Sequence, residues 1–197
     1  LSGSVSLNGA VESVAGEVEV TAKDAVTSSA ALNAKTNVKI TSQVNSAVLN
    51  DTVTAETGDV TVNASTGISV AKAIQAGTNV ALSSTNGDVT TGEKVKATTG
   101  DVNVTTGTGN ISVQAVEADK DISLTTTAGN ITSSGVLTAN QKVGLNAVTS
   151  GDINVNNQIE GKDIEIQTAN GKIESNAAGT LTATAESGTI TVGATQG

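Results

Sequence analysis

One short phrase recurs about every 21 residues along this chain: Gly, Thr, Gln or Lys, then a polar or charged residue, then Val or Ile. It is seen as GEV at 16–18, TNV at 36–38, GDV at 58–60, TNV at 78–80, GDV at 100–102, KDI at 120–122, QKV at 141–143 and KDI at 162–164. Self-similarity at such a fixed period is typical of solenoid proteins, whose repeats stack on one another. The period therefore predicts a stack of similar coils.

Three interleaved columns of aliphatic residues share this period. The first column supplies the predicted structural ladder, which consists of Val60, Val62, Val80, Leu82, Val102, Val104, Ile122, Leu124, Val143, Leu145, Ile164 and Ile166. The second column is Val5, Val26, Val48, Ile68, Val89, Ile111, Ile131, Ile153 and Ile173, and the third is Val11, Leu32, Val53, Ile74, Val95, Val116, Leu137 and Ile159. Alternation of apolar and polar residues is typical of strands with one buried face. We predict an all-β, right-handed parallel β-helix with three sides, roughly nine coils and one solenoid domain over residues 1–197.

Composition agrees with a narrow aliphatic interior. The 197-residue chain contains no Phe, Tyr, Trp, His, Cys, Met, Pro or Arg. Its core must therefore consist of Val, Ile, Leu and Ala. Proline is unsuited to such a stack, because the next coil needs nearly every backbone N–H.

Glycines precede the second-column strands at a constant place, namely Gly87, Gly109, Gly129, Gly151, Gly171 and, in the last coil, Gly188. We expect a corner that repeats in every coil, where glycine permits a positive φ at little steric cost. The second inward position of this column alternates in size: Val70, Thr91, Val113, Ser133, Val155, Ser175 and Val192. A narrow interior at that corner and an ancestral unit of two coils explain the alternation equally well.

The register is ambiguous at two places. Near residues 41–50, either Val44 or Val48 could point inward. Near residues 175–188, the pattern predicts that the third strand fades into Ala177–Ala178 and that Val192 and the outward Thr191 belong to a second-column strand.

The residues needed for most enzyme chemistry are missing. Nucleophilic triads need a base such as His, and zinc sites need His or Cys. Paired carboxylates on β-helices serve polysaccharide lyases and hydrolases, but this chain lacks the Arg and aromatic residues of such sites, and its loops are short. We therefore predict no enzyme activity, no catalytic residue and no cofactor.

One weak metal candidate is the pair Asp101 and Asp121, which the period places one coil apart. A bridging Ca²⁺ would explain two neighbouring carboxylates. A solvated pair relieved by Lys120 and Lys142 explains them as well, and we favour this second interpretation.

The net charge of −9 and the scattered lysines argue against nucleic acid as a partner, and no apolar run is long enough for a membrane helix. An outward file of Ser69, Thr90, Ser112, Thr132, Asn154, Glu174 and Thr191 leaves a glycan- or ice-binding face as an alternative function.

At its GDV and GNI phrases with interleaved aliphatics, the chain resembles the β-helical shafts of filamentous-haemagglutinin-like exoproteins of two-partner secretion systems. The resemblance spans essentially the whole chain, but the family's proline-containing secretion motif is not present. It implies an extracellular or bacterial cell-surface protein with a role in attachment, biofilm formation or cell–cell contact, and a receptor or glycan as partner. We expect this chain, which starts at Leu1, to be part of a longer polypeptide. Its ends would then contact further coils of that polypeptide or identical subunits stacked end to end.

Overall fold

A computed structural model describes residues 3–195, which form 27 strands and no helix. The strands belong to three parallel sheets of nine strands each. Successive strands along the chain visit sheets 1, 2 and 3 in turn, so each circuit forms one coil of about 21 residues. The predicted all-β, three-sided solenoid of about nine coils is confirmed. Among residues 3–195 there is no helix that could span a membrane.

Sheets 1 and 2 are built from three-residue strands. Sheet 1 contains β1 (Val5–Leu7), β4 (Val26–Ser28), β7 (Ala47–Leu49), β10 (Ile68–Val70), β13 (Val89–Thr91), β16 (Ile111–Val113), β19 (Ile131–Ser133), β22 (Ile153–Val155) and β25 (Ile173–Ser175). Sheet 2 contains β2 (Val11–Ser13), β5 (Leu32–Ala34), β8 (Val53–Ala55), β11 (Ile74–Ala76), β14 (Val95–Ala97), β17 (Val116–Ala118), β20 (Leu137–Ala139), β23 (Ile159–Gly161) and β26 (Leu181–Ala183).

Sheet 3 is the broad side of the solenoid, with strands of five to nine residues. It contains β3 (Val18–Ala22), β6 (Val38–Ser42), β9 (Val60–Ala64), β12 (Val80–Ser84), β15 (Val102–Thr106), β18 (Ile122–Ala128), β21 (Lys142–Ser150), β24 (Asp163–Thr168) and β27 (Ile190–Ala194). We call the connections from sheet 1 to 2, from 2 to 3 and from 3 to 1 the 1–2, 2–3 and 3–1 corners.

The register near residue 48 differs from the prediction. Ala47 pairs with Val26 and Ile68, so Ala47 and Leu49 point inward and are fully buried. Val48 therefore points outward, and Val44 lies on a corner with 51% of its surface exposed. The prediction was wrong because a shift of one residue moves every side chain of a strand to its other face. Ala47 occupies the inward position that Val or Ile fills in the other coils, so the pattern of large aliphatic residues did not reveal it.

The last coil also differs from the prediction. The third strand does not fade at Ala177–Ala178 but is β26, whose Leu181 pairs with Ile159. The next strand, β27, joins sheet 3, where Val192 pairs with Ile166 and Thr191 with Glu165. Gly188 consequently precedes a sheet 3 strand rather than one of sheet 1. The connections on either side of β26 are longer than those of the other coils. Because of this extra length, the residues of the last coil no longer follow the 21-residue interval, and the interval assigned them to the wrong strand.

Candidate functional site

The predicted ladder forms one continuous row of buried pairs inside sheet 3. Val60 pairs with Val80 and Val80 with Val102, and the same register continues through Ile122, Val143 and Ile164. The companion row runs from Val62 through Leu82, Val104, Leu124 and Leu145 to Ile166. Every one of these side chains is at most 1% exposed. The rows join the aliphatic residues of sheets 1 and 2 in a single core that runs through the stack.

The corner glycines lie one above another at the 3–1 corner. A Cβ on Gly87 would lie 1.7 Å from the Thr66 backbone oxygen, and one on Gly109 would lie 2.2 Å from backbone atoms of Gly87. The same holds for Gly129, Gly151 and Gly171, whose Cβ atoms would lie 1.7–2.1 Å from the backbone oxygen of the preceding corner glycine. Glycine is required here because adjacent coils come too close for any side chain.

The conformational reason that the sequence suggested for these glycines holds only for some of them. Gly129 and Gly151 have φ values of +156° and +134°, whereas Gly87, Gly109 and Gly171 do not have positive φ. Gly67, which precedes β10 at the same corner, has φ +145° and was missed. It stands directly before Ile68, whereas the other corner glycines stand two residues before their second-column residue, so the constant spacing did not include it.

Buried threonines bond to these corners, and sequence reasoning did not single them out. Thr106, Thr126 and Thr168 lie on the sheet 3 strands β15, β18 and β24. Each is the last inward-pointing residue of its strand that pairs in regular register, and each is at most 4% exposed. Their Oγ1 atoms donate to the backbone oxygens of the preceding corner glycines over 2.8, 2.9 and 2.7 Å. A buried hydroxyl needs such a partner. A polar residue at a repeating inward place was the available signal.

Asp and Asn side chains form a second repeating feature at the 2–3 corner. In each case the Oδ1 atom accepts a hydrogen bond from the backbone N–H of the equivalent residue one coil later. The acceptors Asn37, Asp59, Asn79, Asp101 and Asp121 bond to the N–H groups of Asp59, Asn79, Asp101, Asp121 and Lys142 over 2.9–3.0 Å. We call this row the Asx ladder. Asp and Asn alternate freely within it because each supplies the same acceptor atom.

The Asx ladder gives Asp101 and Asp121 a structural role. Asp101 Oδ1 accepts from the Asp121 N–H over 3.0 Å, and Asp121 Oδ1 accepts from the Lys142 N–H over 2.9 Å. Within residues 3–195, no group of three or more acidic residues is arranged to hold a metal ion. The two carboxylates therefore accept hydrogen bonds from the backbone N–H groups of successive coils.

Asp59 is the most strongly bonded member of the Asx ladder. Partial burial by itself would raise the pKa of Asp59. Hydrogen bonds from the Thr78 hydroxyl, the Asn79 N–H and the Asn79 side-chain amide outweigh this effect and hold the pKa below its ordinary value of 3.8. Asp59 is therefore a carboxylate in the folded protein near neutral pH.

A second Asx row lies at the 3–1 corner, beside the glycines. Asp88, Asn110, Asn130 and Asp152 accept from the N–H groups of Asn110, Asn130, Asp152 and Lys172 over 2.7–2.9 Å. The Gly–Asx–aliphatic phrase at this corner, seen as GDV at 87–89 and as GNI at 109–111 and 129–131, now has a physical explanation. Its Gly permits close approach, its Asx bonds to the next coil, and its aliphatic residue enters the core.

The alternating inward position of sheet 1 contains both bonded and unbonded hydroxyls. Thr91 Oγ1 accepts from the Gln114 N–H over 3.3 Å. Ser133 Oγ is fully buried between coils and has no hydrogen-bond partner among the described residues. Ser133 pairs with Val113 on one side and Val155 on the other, so a small side chain lies between two larger ones in this column.

Ion pairs connect coils across the outward faces and the corners beside them. Glu117 on β17 contacts Lys96 on β14 at 2.7 Å and also contacts Lys94. Hydrogen bonds from Lys94 and then Lys96 lower the pKa of Glu117. Similar pairs join Lys35 to Glu56 and Lys72 to Glu93, each from one coil to the next. These side chains are 37–63% exposed, so the pairs contribute little to stability.

Residues 50–196 match the family model described as Toastrack DUF4097. This chain belongs to the Toastrack family. No curated protein and no solved structure matches it. The finding shows a Toastrack solenoid, whereas kinship with the filamentous-haemagglutinin-like exoproteins stays a prediction from sequence.

The matched Toastrack region begins just after β7, yet the solenoid continues before it without a break in register. Val38 on β6 pairs with Val60 on β9, and Leu32 on β5 pairs with Val53 on β8. The preceding coils therefore have the same three-sided construction as the matched region.

Proposed function

We propose that this Toastrack solenoid is a structural shaft that holds other parts of a bacterial surface protein at a fixed distance, and that it has no catalytic role. The observation that carries this proposal is the uninterrupted repetition of the ladder and the two Asx rows. Among the described residues, no connection between successive strands is longer than six residues. Such connections leave little chain for building a cleft, whereas stacked hydrogen bonds give length and stiffness.

The shaft of a secreted or cell-surface adhesin is the specific form that we propose. The resemblance to adhesin shafts supports an extracellular location, and the net charge of −9 and the absence of cysteine are compatible with it. Protease treatment of intact cells of the source organism, followed by immunoblotting, tests the location. Loss of the chain from intact cells supports the proposal, and full protection contradicts it.

Stiffness can be measured with spin labels, because the chain has no native cysteine. Outward Ser6, Ser112 and Glu174 lie in sheet 1 on β1, β16 and β25. Cysteine pairs at 6/112 and 6/174 are five and eight coils apart, which corresponds to about 24 and 38 Å at the usual strand spacing. We expect two narrow distance distributions near these values. Broad distributions, or distances that do not grow with the number of coils, would contradict a rigid shaft.

End-to-end stacking would lengthen this shaft, and the two ends of the described chain are compatible in register. A second copy placed after β25, β26 and β27 would continue the inward columns from Ile173, Leu181 and Ile190 into Val5, Val11 and Val18. The outward neighbours would be Glu174 with Ser6, Thr182 with Glu12 and Thr191 with Glu19, so no like charges meet. In a longer polypeptide, a further coil of the same chain would occupy this place.

Electron microscopy of the concentrated chain tests the stacking. We expect fibres, and we expect Val192→Lys to abolish them, since Val192 on the terminal strand is 50% exposed. Val44→Lys is the matched control, because Val44 is 51% exposed but lies on a corner within the stack. Isolated rods of about 45 Å at high concentration would exclude fibre formation and leave the spacer role to the spin-label experiment.

A further inference from the structure

A depression interrupts the outward face of sheet 3. The outward residues of β18, β21 and β24 form two adjacent files, Ser123–Gly144–Glu165 and Thr125–Asn146–Gln167. Because Gly144 has no side chain, a depression of about 310 Å³ opens between Ser123 and Glu165. We call it the Gly144 depression.

The fold does not require glycine at position 144. Gly144 has no positive φ, and a Cβ added there would come no closer than 3.8 Å to another residue outside its chain neighbours, the nearest atom being the Ile122 backbone oxygen. Glycine inside a strand costs roughly 0.5–1 kcal/mol relative to Ala and often marks the close approach of a ligand or another backbone. The corner glycines are explained by packing, and Gly144 is not.

The walls of the Gly144 depression present mixed hydrogen-bonding groups. Glu165 is oriented by Lys142 Nζ on one side and by Gln167 Nε2, at 2.6 Å, on the other. The Ser123 and Thr125 hydroxyl oxygens lie 3.5 Å apart on the opposite wall. The exposed Asn146 amide has no hydrogen-bond partner among the described residues. Carboxylate, amide and hydroxyl groups therefore line one concave surface, and their bonds to one another leave further donor and acceptor positions for a ligand.

A second depression of about 220 Å³ continues the first across the same sheet. It lies around Gly193 on β27 and shares Asn146 and Gln167 with the Gly144 depression. A Cβ on Gly193 would meet nothing within 4 Å, so glycine is not required by packing there either. Gly193 is two coils and two residues along the strand from Gly144, so the two glycines are roughly 12 Å apart. The combined groove has the shape for an extended ligand rather than a single small molecule.

We propose that this groove binds a neutral oligosaccharide. Sugar hydroxyls both donate and accept hydrogen bonds, so they match a mixed set of Glu165, Asn146 and Gln167. One face of a pyranose ring can approach the backbone at Gly144, where no side chain intervenes. The chain's net charge of −9 disfavours a polyanion. No metal-binding acidic cluster is present in residues 3–195, which disfavours a cation ligand. Without aromatic platforms, affinity for one groove is expected in the millimolar range.

The test is an NMR titration of the full ¹⁵N-labelled chain with neutral hexasaccharides of glucose and of N-acetylglucosamine. We expect at least one of them to shift the backbone amides of residues 123–125, 144–146, 165–167 and 193. An anionic uronic acid hexasaccharide is expected to bind at least tenfold more weakly. No shifts with either neutral sugar, shifts confined to other surfaces, or preference for the anionic sugar would overturn the proposal.

Two variants locate the binding. Gly144→Thr fills the depression and should weaken binding at least tenfold, whereas Ala81→Thr adds the same side chain three coils away in the same outward file and should not. Glu165→Gln keeps the shape of the wall but replaces the carboxylate acceptor with an amide, and it should weaken oligosaccharide binding several-fold. Equal affinity in the Gly144→Thr and Ala81→Thr variants would overturn the proposal. The shaft role does not depend on this result.

Discussion

Gly144 and Gly151 lie in the same coil, but the packing of the solenoid requires only one of them. A Cβ at Gly151 would lie 1.7 Å from the Gly129 backbone oxygen, and φ there is +134°. A Cβ at Gly144, in the middle of β21, would make only ordinary van der Waals contacts, the nearest at 3.8 Å. Corners bring the backbones of adjacent coils into direct contact, whereas outward faces leave side chains free to vary. We therefore expect substitutions at corners to affect folding strongly and substitutions on faces to affect it little.

The largest expected effect comes from Gly151→Ala. The added Cβ must displace the backbone of the preceding coil and adopt an unfavourable φ, so we expect a loss of about 3–5 kcal/mol in the free energy of unfolding. Urea unfolding followed by far-ultraviolet circular dichroism measures it. Gly9→Ala is the control, because a Cβ there meets nothing within 4 Å and φ is not positive. A loss of less than 1 kcal/mol at position 151 would show that the corner can relax and that the comparison fails.

The next effect comes from the Asx ladder. Asp59→Ala leaves the Asn79 N–H without its acceptor, and an unsatisfied, partly buried donor costs about 1–3 kcal/mol. Asp59→Asn keeps the Oδ1 acceptor, so we expect it to lose less than half as much. If both variants lose the same amount, the charge of Asp59 rather than its hydrogen bonds stabilises the corner.

The same position predicts a dependence on pH. Because the pKa of Asp59 is lowered in the folded protein, its stabilisation is present above the ordinary value of 3.8 and is lost as pH falls through the folded value. The difference in unfolding free energy between the wild type and Asp59→Asn should therefore be constant near neutral pH and shrink below about pH 4. A difference that grows on acidification would contradict the lowered pKa.

How far the sequence predicted the molecule depends on which interactions repeat. Side chains that recur at a fixed interval, such as Val60, Val80 and Val102, predicted both the coil and its interior. Val48 and Val192 were misplaced because the interval alone does not reveal an alanine in an aliphatic position or a longer corner. The reason for Gly87 was also out of reach, since the 1.7 Å approach to Thr66 depends on how closely two coils stack. The Gly144 depression could not be predicted from the sequence, because the three-dimensional structure is needed to tell which glycines have no packing role.

A smaller effect is expected from the face of sheet 2. Glu117→Gln breaks the ion pairs with Lys94 and Lys96, which are largely exposed, so the loss should not exceed about 1 kcal/mol. Salt screens such pairs, so the loss should disappear in concentrated sodium chloride. Glu160→Gln removes the same charge two coils away in the same outward file, where Glu160 faces Thr138, and serves as control. A loss that persists at high salt would mean that this face contributes to stability as the corners do.

The smallest effect, and the one of opposite sign, is expected from Gly144→Thr. Threonine favours strands, and its Cβ would meet only ordinary van der Waals contacts at 3.8–4.0 Å, so we expect a gain of about 0.5 kcal/mol in the free energy of unfolding. Thermal and urea unfolding measure this gain. Ala81→Thr is unfolded in parallel as the control, because it adds a threonine without removing a glycine and so reports any general effect of threonine. A stabilised variant that no longer binds oligosaccharide would show that Gly144 is kept at a cost to the fold. A destabilised variant would mean that packing also constrains the outward face at β21. Gly144 and Gly151 would then differ only in how much stability their substitution costs.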